Sequence, residues 1–331
     1  MSAAKTALTI AVRYSAQRRQ VGPAGAREVP VLDYLAHQRT LLPRLATTFG
    51  LHFAIRDLQQ RFAERPGDEE EDDDTVEVRA AGLKAYASWH CVETVQKCRE
   101  ACGGRGYLAE NRFGRLLADT DVFTTFEGAN PVLMQLVAKG LLSRFRDEMG
   151  DLRLWSAAHW LAERAQTTLT ELNPVVTRRT DPDHLRDPDF HQAAFTYREE
   201  RLLRSLARRL KRRIDEGRDT FPALTECQAH ALELGDAHGE RIVLEAFQEG
   251  VARAPNPGLS EVLGSLSALF ALSRMEHHRG WYLESGYLEA SKSRAIRAQV
   301  NELCGEVRAC APFLVDGFGI PDEVLAAPAG L

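Results

Sequence analysis

Glu127 is the residue of this sequence best mounted for chemistry. It stands in Phe126-Glu127-Gly128-Ala129, directly ahead of Asn130-Pro131. Asn130 can cap a helix through its side-chain oxygen, and Pro131 suits the first helical position, where no amide donor is needed. Glu127 is therefore expected in a short loop aimed by a helix, beside a glycine that leaves access open. A lone carboxylate so placed suits general-base work; a solvated surface glutamate would carry the same local pattern. Cys102-Gly103-Gly104-Arg105-Gly106-Tyr107 is glycine-rich. Such a segment lets backbone amides approach a phosphate closely, and it equally suits a helix C-terminus. A helical stretch precedes it and no strand does, which excludes a Rossmann fingerprint. Arg13, Arg18, Arg19 and Gln20 close the first helical stretch. Arginine forks fit phosphates and carboxylates, and near a helix C-terminus they also compensate its dipole.

Other candidates read as structure. The six cysteines, Cys91, Cys98, Cys102, Cys227, Cys304 and Cys310, form no CxxC pair. Cys91, Cys98 and Cys102 recur with Val95 at helical spacing, as one buried stripe, and no metal site is expected. The basic stretch 198–213 keeps a leucine face and carries Glu199 and Glu200 near its start. It reads as a solvated or interdomain face, and no nucleic-acid partner is expected. His277-His278 and Trp281-Tyr282 read as core and surface of a bundle.

The elements that must carry these residues are helices. Leu35, Leu42, Leu45 and Phe49 form one stripe, and Val132, Leu133, Leu136, Val137 and Leu141 another. Leu202, Leu206, Leu210 and Ile214 follow, then Leu259, Val262, Leu263, Leu266, Leu269 and Phe270. No stretch alternates with period two, so the chain reads as all-α. Breaks are expected at 22–30, in the acidic run 67–74, at 103–106, at 173–188 and at 255–258. Met149-Gly150-Asp151 is the expected boundary between two successive helical bundles, residues 1–150 and 151–331, with a new helical series from Leu152. The 331 residues, 44% hydrophobic and 27% charged, allow a sizeable core. A net charge of −5 provides no basic field, and no apolar run approaches the length of a membrane span.

In order along the chain, these segments resemble the C-terminal half of an acyl-CoA oxidase, in the acyl-CoA dehydrogenase/oxidase superfamily. The matching stretches are Arg13-Tyr14-Ser15 with Arg18-Arg19-Gln20, Val29-Pro30-Val31-Leu32-Asp33-Tyr34, Glu100-Ala101-Cys102-Gly103-Gly104-Arg105-Gly106-Tyr107 and Thr125-Phe126-Glu127-Gly128-Ala129-Asn130. The tail from Leu314 to Asp322 also matches. Val21 stands where the family has phenylalanine after Arg-Arg-Gln. The resemblance implies FAD-dependent α,β-dehydrogenation of acyl-CoA to trans-2-enoyl-CoA, with electrons passed to dioxygen as hydrogen peroxide. It implies Glu127 as the base for the α-proton, and Arg18, Gln20, Gly103 and Gly104 as FAD contacts across a dimer interface. Chemistry agrees with burying such a base, because burial raises a carboxylate's pKa toward neutrality.

Full-length relatives carry a helical and a β-domain ahead of the segment matched here. The expectation is therefore one subunit of a split oxidase, a homodimer or hetero-oligomer completed by an N-terminal-half polypeptide. Two other readings share the residues. One is an acyl-CoA dehydrogenase subunit feeding an electron-transfer flavoprotein, against which the second bundle argues. The other is a non-catalytic helical scaffold. The free cysteines, the start without a secretory signal and a C-terminal Ala329-Gly330-Leu331 unlike a peroxisomal address point to a cytoplasmic chain.

Overall fold

A computed structural model describes residues 1–64, 73–150 and 178–331. Among them, helices carry nearly everything: α1 (Ser2–Gln17), α2 (Leu35–Ala63), α3 (Asp73–Ala101), α4 (Phe113–Asp121), α5 (Asn130–Gly150), α6 (Pro182–Arg186), α7 (Pro188–Asp215), α8 (Thr220–Thr225), α9 (Gln228–Ala252), α10 (Pro257–His277), α11 (Arg279–Glu284), α12 (Ala290–Asp316) and α13 (Asp322–Leu325). The one departure is a two-residue ribbon in which β1 (Arg19–Gln20) pairs antiparallel with β2 (Val29–Pro30). It forms where α1 stops: Arg18 turns extended, and its carbonyl accepts from Val31 N at 2.8 Å. The 22–30 loop is thus the tip of a hairpin. The acidic run 67–74 falls largely outside the described residues, as does Leu152 with the start of the second helical series.

The stripes account for the packing. Leu42 and Leu45 of α2, Cys91, Val95 and Cys98 of α3, and Leu266, Leu269 and Phe270 of α10 are buried in one cluster. That cluster also takes Leu8 and Ile10 of α1, Phe247 of α9 and Val300 and Leu303 of α12, so helices from both sides of residue 150 share a core. A smaller cluster joins Val137 and Leu141 of α5 to Leu202 and Leu206 of α7 and Leu234 of α9. Burial pushes the Cys102 thiol up to about 12, which marks an inert packing group. Not every stripe residue is inside. Leu35, Val132 and Leu136 are exposed.

The basic stretch divides. Arg201, Arg208, Arg209, Lys211 and Arg212 face outward, whereas Arg198 is buried and binds Glu240 of α9 at 2.8 Å. Glu199 beside it is also buried and accepts from Arg241 and, at 2.9 Å, pairs with His238. The solvated-face expectation therefore fails at its first two residues. Burial alone would raise the Glu240 carboxyl, but Arg274, His278 and Arg198 around it hold it far below the usual carboxylate range. Among the described residues, one group of potential metal ligands converges: Asp236, Glu240 and His278. Its carboxylates already face Arg198, at 3.5 Å from Asp236, and Arg274, so a cation would compete with two guanidiniums.

Candidate active site

Glu127 lies in the loop between α4 and α5. Its φ is 54°, left-handed for a residue with a side chain, and Gly128 follows at φ 104°. Such a conformation costs about 1–2 kcal/mol in a non-glycine residue and persists only where neighbours fix it. Lys84 of α3 does this by donating to the Gly128 carbonyl at 2.7 Å and to Asn130 Oδ1 at 3.0 Å. A side chain at Gly128 would be strained by its positive φ, and an added Cβ would stand a tight 3.0 Å from Leu133 Cδ2.

Asn130 corrects one expectation. Its side chain does not cap α5. It turns to α3, donating to the Ala85 carbonyl at 3.2 Å and to Ser88 Oγ at 2.8 Å, and it is fully buried. The Ala129 carbonyl instead accepts the first helical bond, from Leu133 N at 3.1 Å. The helix starts where the sequence suggests, but the asparagine anchors two helices to each other.

Glu127 reaches the rim of a groove of about 470 Å³. Ile55 and Leu58 of α2, Leu83, Ala87 and Cys91 of α3, and Phe123 give it apolar walls, with Lys84 and Glu127 as its charged groups. Burial pulls the Lys84 ammonium below its usual value, and the Glu127 charge pulls it back up. A carboxylate at the edge of an aliphatic groove can take a proton from carbon while the groove holds a hydrocarbon chain. The expected burial of Glu127 is not met within this chain: its side chain is exposed, as are Phe123 and Phe126 beside it.

A second cavity, of about 340 Å³, collects the other predicted residues. Arg18 and Gln20 from the end of α1 and the ribbon meet Gly103 at the end of α3, with Tyr14, Tyr34 and His37. The ribbon sets this up, because pairing Gln20 with Val29 folds the arginine segment back towards α3. Tyr34 holds it by donating to the Val21 carbonyl. Gly103 has φ +55°, and nothing lies within 4 Å of where its Cβ would be, so its backbone stays open to a ligand. Gly104 is open too but does not line the cavity. A guanidinium, an amide, two phenols and open glycine backbone suit the phosphate and polar portions of a dinucleotide.

Sequence reasoning missed several participants. Lys84 carried no local signal beyond its spacing to Ser88 on the same helix face. Arg13 lies outside the cavity altogether. It pairs with Asp316 at 2.7 Å and Asp322 at 2.8 Å, tying α1 to the C-terminal tail. His278 is half-buried against Glu240, at 3.1 Å, and takes its place in the structural network described above. The two cavities lie at different levels of α3, the groove along its middle around Lys84 and Ala87 and the second cavity at its C-terminal end around Glu100 and Ala101. Lys84 and Glu100 are separated along it by roughly 24 Å at 1.5 Å per residue.

Comparison with known proteins identifies the family of this chain. The family described as "Acyl-CoA oxidase, C-alpha1 domain" matches residues 1–142, and that described as "Acyl-CoA oxidase" matches residues 187–331. "Acyl-coenzyme A oxidase 2, peroxisomal" of Arabidopsis thaliana is 40% identical over 326 residues, 98% of this chain and 47% of that protein. The solved acyl-CoA oxidase 1 of Arabidopsis thaliana superposes with a TM-score of 0.86 at 26% identity, over 99% of this chain and 49% of that one. Acyl-CoA oxidase-1 of Caenorhabditis elegans, solved with FAD and ATP, shows the same fold at 23% identity, with a TM-score of 0.84 over 99% of this chain and 49% of that one. The chain spans about half the length of the relatives it matches. Among the described residues, no helix is long and apolar enough to cross a membrane. The cytoplasmic expectation is overturned by relatives named as peroxisomal, among them the Arabidopsis thaliana acyl-coenzyme A oxidase 2. Buried thiols report on redox chemistry and carry no address. The chain belongs to the acyl-CoA oxidase family and matches the C-terminal half of its members.

Proposed function

We propose that this chain supplies the base, half of the acyl groove and a cofactor-holding surface of an acyl-CoA oxidase that forms trans-2-enoyl-CoA and hydrogen peroxide. The observation that carries the reading is Glu127, fixed in a left-handed turn by Lys84 at the mouth of an apolar groove. The acyl chain lies against Ile55, Leu58 and Leu83, which places the carbon α to the thioester beside the Glu127 carboxylate. Glu127 takes that proton. FAD, when bound, supplies the acceptor for the hydride leaving the β-carbon and passes the electron pair to dioxygen. Lys84 keeps the loop in register through the Gly128 carbonyl, so the carboxylate stays aimed as the proton moves.

Arg18, Gln20 and Gly103 would hold the polar part of FAD, with Gly104 offering backbone at the rim. With roughly 24 Å of α3 between Lys84 and Glu100, the cofactor held there is read as serving the glutamate of a second copy. This reading makes the active protein a dimer. The exposed Val122, Phe123, Phe126, Val132 and Leu136 around the Glu127 loop leave an apolar face that needs cover. The part of the relatives that this chain does not span provides it, excluding water from the reacting carbon.

The test joins that part to this chain, as one polypeptide or as two. The joined protein is expected to bind FAD and to release one peroxide per enoyl product under air, while this chain alone binds FAD weakly and turns nothing over. Turnover that requires an electron-transfer flavoprotein and yields no peroxide would assign the dehydrogenase reaction instead. Strong flavin binding and turnover by this chain alone would refute the need for the other half.

A further inference from the structure

The end of the chain doubles back onto the cofactor side of the molecule. After α12, α13 and the residues Pro328–Gly330 close against α1, with Leu325, Ala327 and Ala329 buried. Gly330 comes so near that a Cβ there would stand 3.0 Å from Ile10 Cα. Two consecutive side chains receive this tail, and both belong to the turn linking the glycine-rich segment to α4. Arg112 Nη1 donates to the Val324 carbonyl at 2.6 Å and to the Leu325 carbonyl at 2.7 Å. The Asn111 amide, fully buried, faces both ways: Oδ1 accepts from Ala329 N at 2.8 Å, and Nδ2 donates to the Arg105 carbonyl at 2.9 Å.

The glycine-rich segment has holds of its own: the Arg99 guanidinium stacks on the Tyr107 ring at 4.4 Å, and Arg105 pairs with Glu110 at 4.0 Å. Gly106 is pressed to α3, since a Cβ there would meet the Arg99 carbonyl at 2.0 Å, whereas a Cβ at Gly103 or Gly104 would meet nothing within 4 Å. These holds act at residues 105–107, beyond the open Gly103 and Gly104. The Asn111 bond to the Arg105 carbonyl adds one more, and the tail itself fixes it. Arg112 sits at φ 65°, a left-handed conformation for a residue with a side chain, held in place by its two bonds to the tail. An amide is the side chain that can accept at one end and donate at the other, so it sets the spacing between Ala329 and Arg105.

We infer that Asn111 and Arg112 are positioning residues through which the C-terminal tail sets the conformation of Gly103 and hence the affinity for the dinucleotide. The role of Gly103 rests on the function proposed above; the coupling of tail to segment does not. The test uses two variants. Asn111→Ala removes the bridge, and Ala329→Pro removes the tail's N–H donor to Asn111 without altering any residue of the turn or the glycine-rich segment. Hydrogen exchange of the 103–107 amides is measured in this chain, and FAD affinity and the KM for acyl-CoA in the joined protein. Loss of one buried hydrogen bond corresponds to a change on the order of tenfold. Both variants are expected to exchange about tenfold faster at 103–107 and to bind FAD about tenfold more weakly, with KM for acyl-CoA unchanged. Wild-type exchange at 103–107 in both variants overturns the coupling. Faster exchange with wild-type FAD affinity overturns the positioning role. Failure of the unmodified joined protein to bind FAD overturns the functional reading alone, and exchange still decides the coupling.

Discussion

Lys84→Met isolates the device that aims the glutamate. The methionine keeps the aliphatic stem against the groove and deletes both donors. One of these, to Asn130 Oδ1, is part-buried, and the other, to the Gly128 carbonyl, is solvent-exposed. Charged hydrogen bonds contribute about 1.5–3 kcal/mol when buried, and exposure to solvent places this pair together at about 1–2 kcal/mol. That is similar to the roughly 1–2 kcal/mol cost of a left-handed non-glycine residue. With the Gly128 carbonyl released, Glu127 at φ 54° relaxes towards extended backbone and its carboxylate moves off the groove mouth. A displacement of about 1 Å costs up to about 10²-fold in rate. In the joined protein, the rate of flavin bleaching after anaerobic mixing with acyl-CoA is expected to fall 10- to 100-fold by that estimate, roughly as large as the positioning effect allows. KM should change little, because the apolar walls are intact, and Lys84→Arg should recover most of the rate. Bleaching within about threefold of wild type in Lys84→Met, with the stability loss present, would refute the argument that this lysine aims the base.

Two further outcomes follow from the same geometry. Gly106→Ala forces a Cβ to 2.0 Å from the Arg99 carbonyl, whereas Gly104→Ala meets nothing within 4 Å. Denaturant unfolding should show a loss of about 1–3 kcal/mol for Gly106→Ala and less than about 0.5 kcal/mol for Gly104→Ala; equal effects would contradict the packing. Burial lowers His90 to about 3 and His191 to about 4, so both are neutral in the folded state at pH 7. The unfolded chain takes up protons near pH 6.5 and the folded chain does not, so stability falls as pH drops from 6.5 towards 4. Each histidine adds a slope of up to about 1.4 kcal/mol per pH unit, and His90→Gln should remove one such share; an unchanged slope would refute it.

The helices were legible because their stripes repeat locally: Leu42 and Leu45, Cys91 to Cys98, and Leu263 to Phe270 are buried as their spacing requires. Arg18, Gln20, Gly103 and Glu127 were legible as chemistry only in sequence order, through the family they resemble, and the ribbon then brings the first three together. What escaped was set by distant partners. Asn130 fits a helix cap by local rules, yet Lys84 and Ser88, more than forty residues upstream, claim its side chain. Arg13 fits a dipole-compensating end residue, but its carboxylate partner is 303 residues away. Arg198 and Glu199 belong to a basic run by composition and to the interior by the register of α7 against α9. The exposure of Glu127 and Phe126 has the same origin, because the surface that would cover them is not part of this chain's own packing.

Glu127 is the proposed acceptor of the α-proton. The most direct measurement is anaerobic single-turnover flavin bleaching by acyl-CoA in the joined protein, comparing Glu127 with Glu127→Gln. The amide keeps the size of the side chain and its loop contacts but cannot accept the proton. A drop of about 10²–10⁴-fold in bleaching rate with FAD affinity unchanged is the expected result. Bleaching at the wild-type rate in Glu127→Gln would contradict the claim and leave the loop a structural feature.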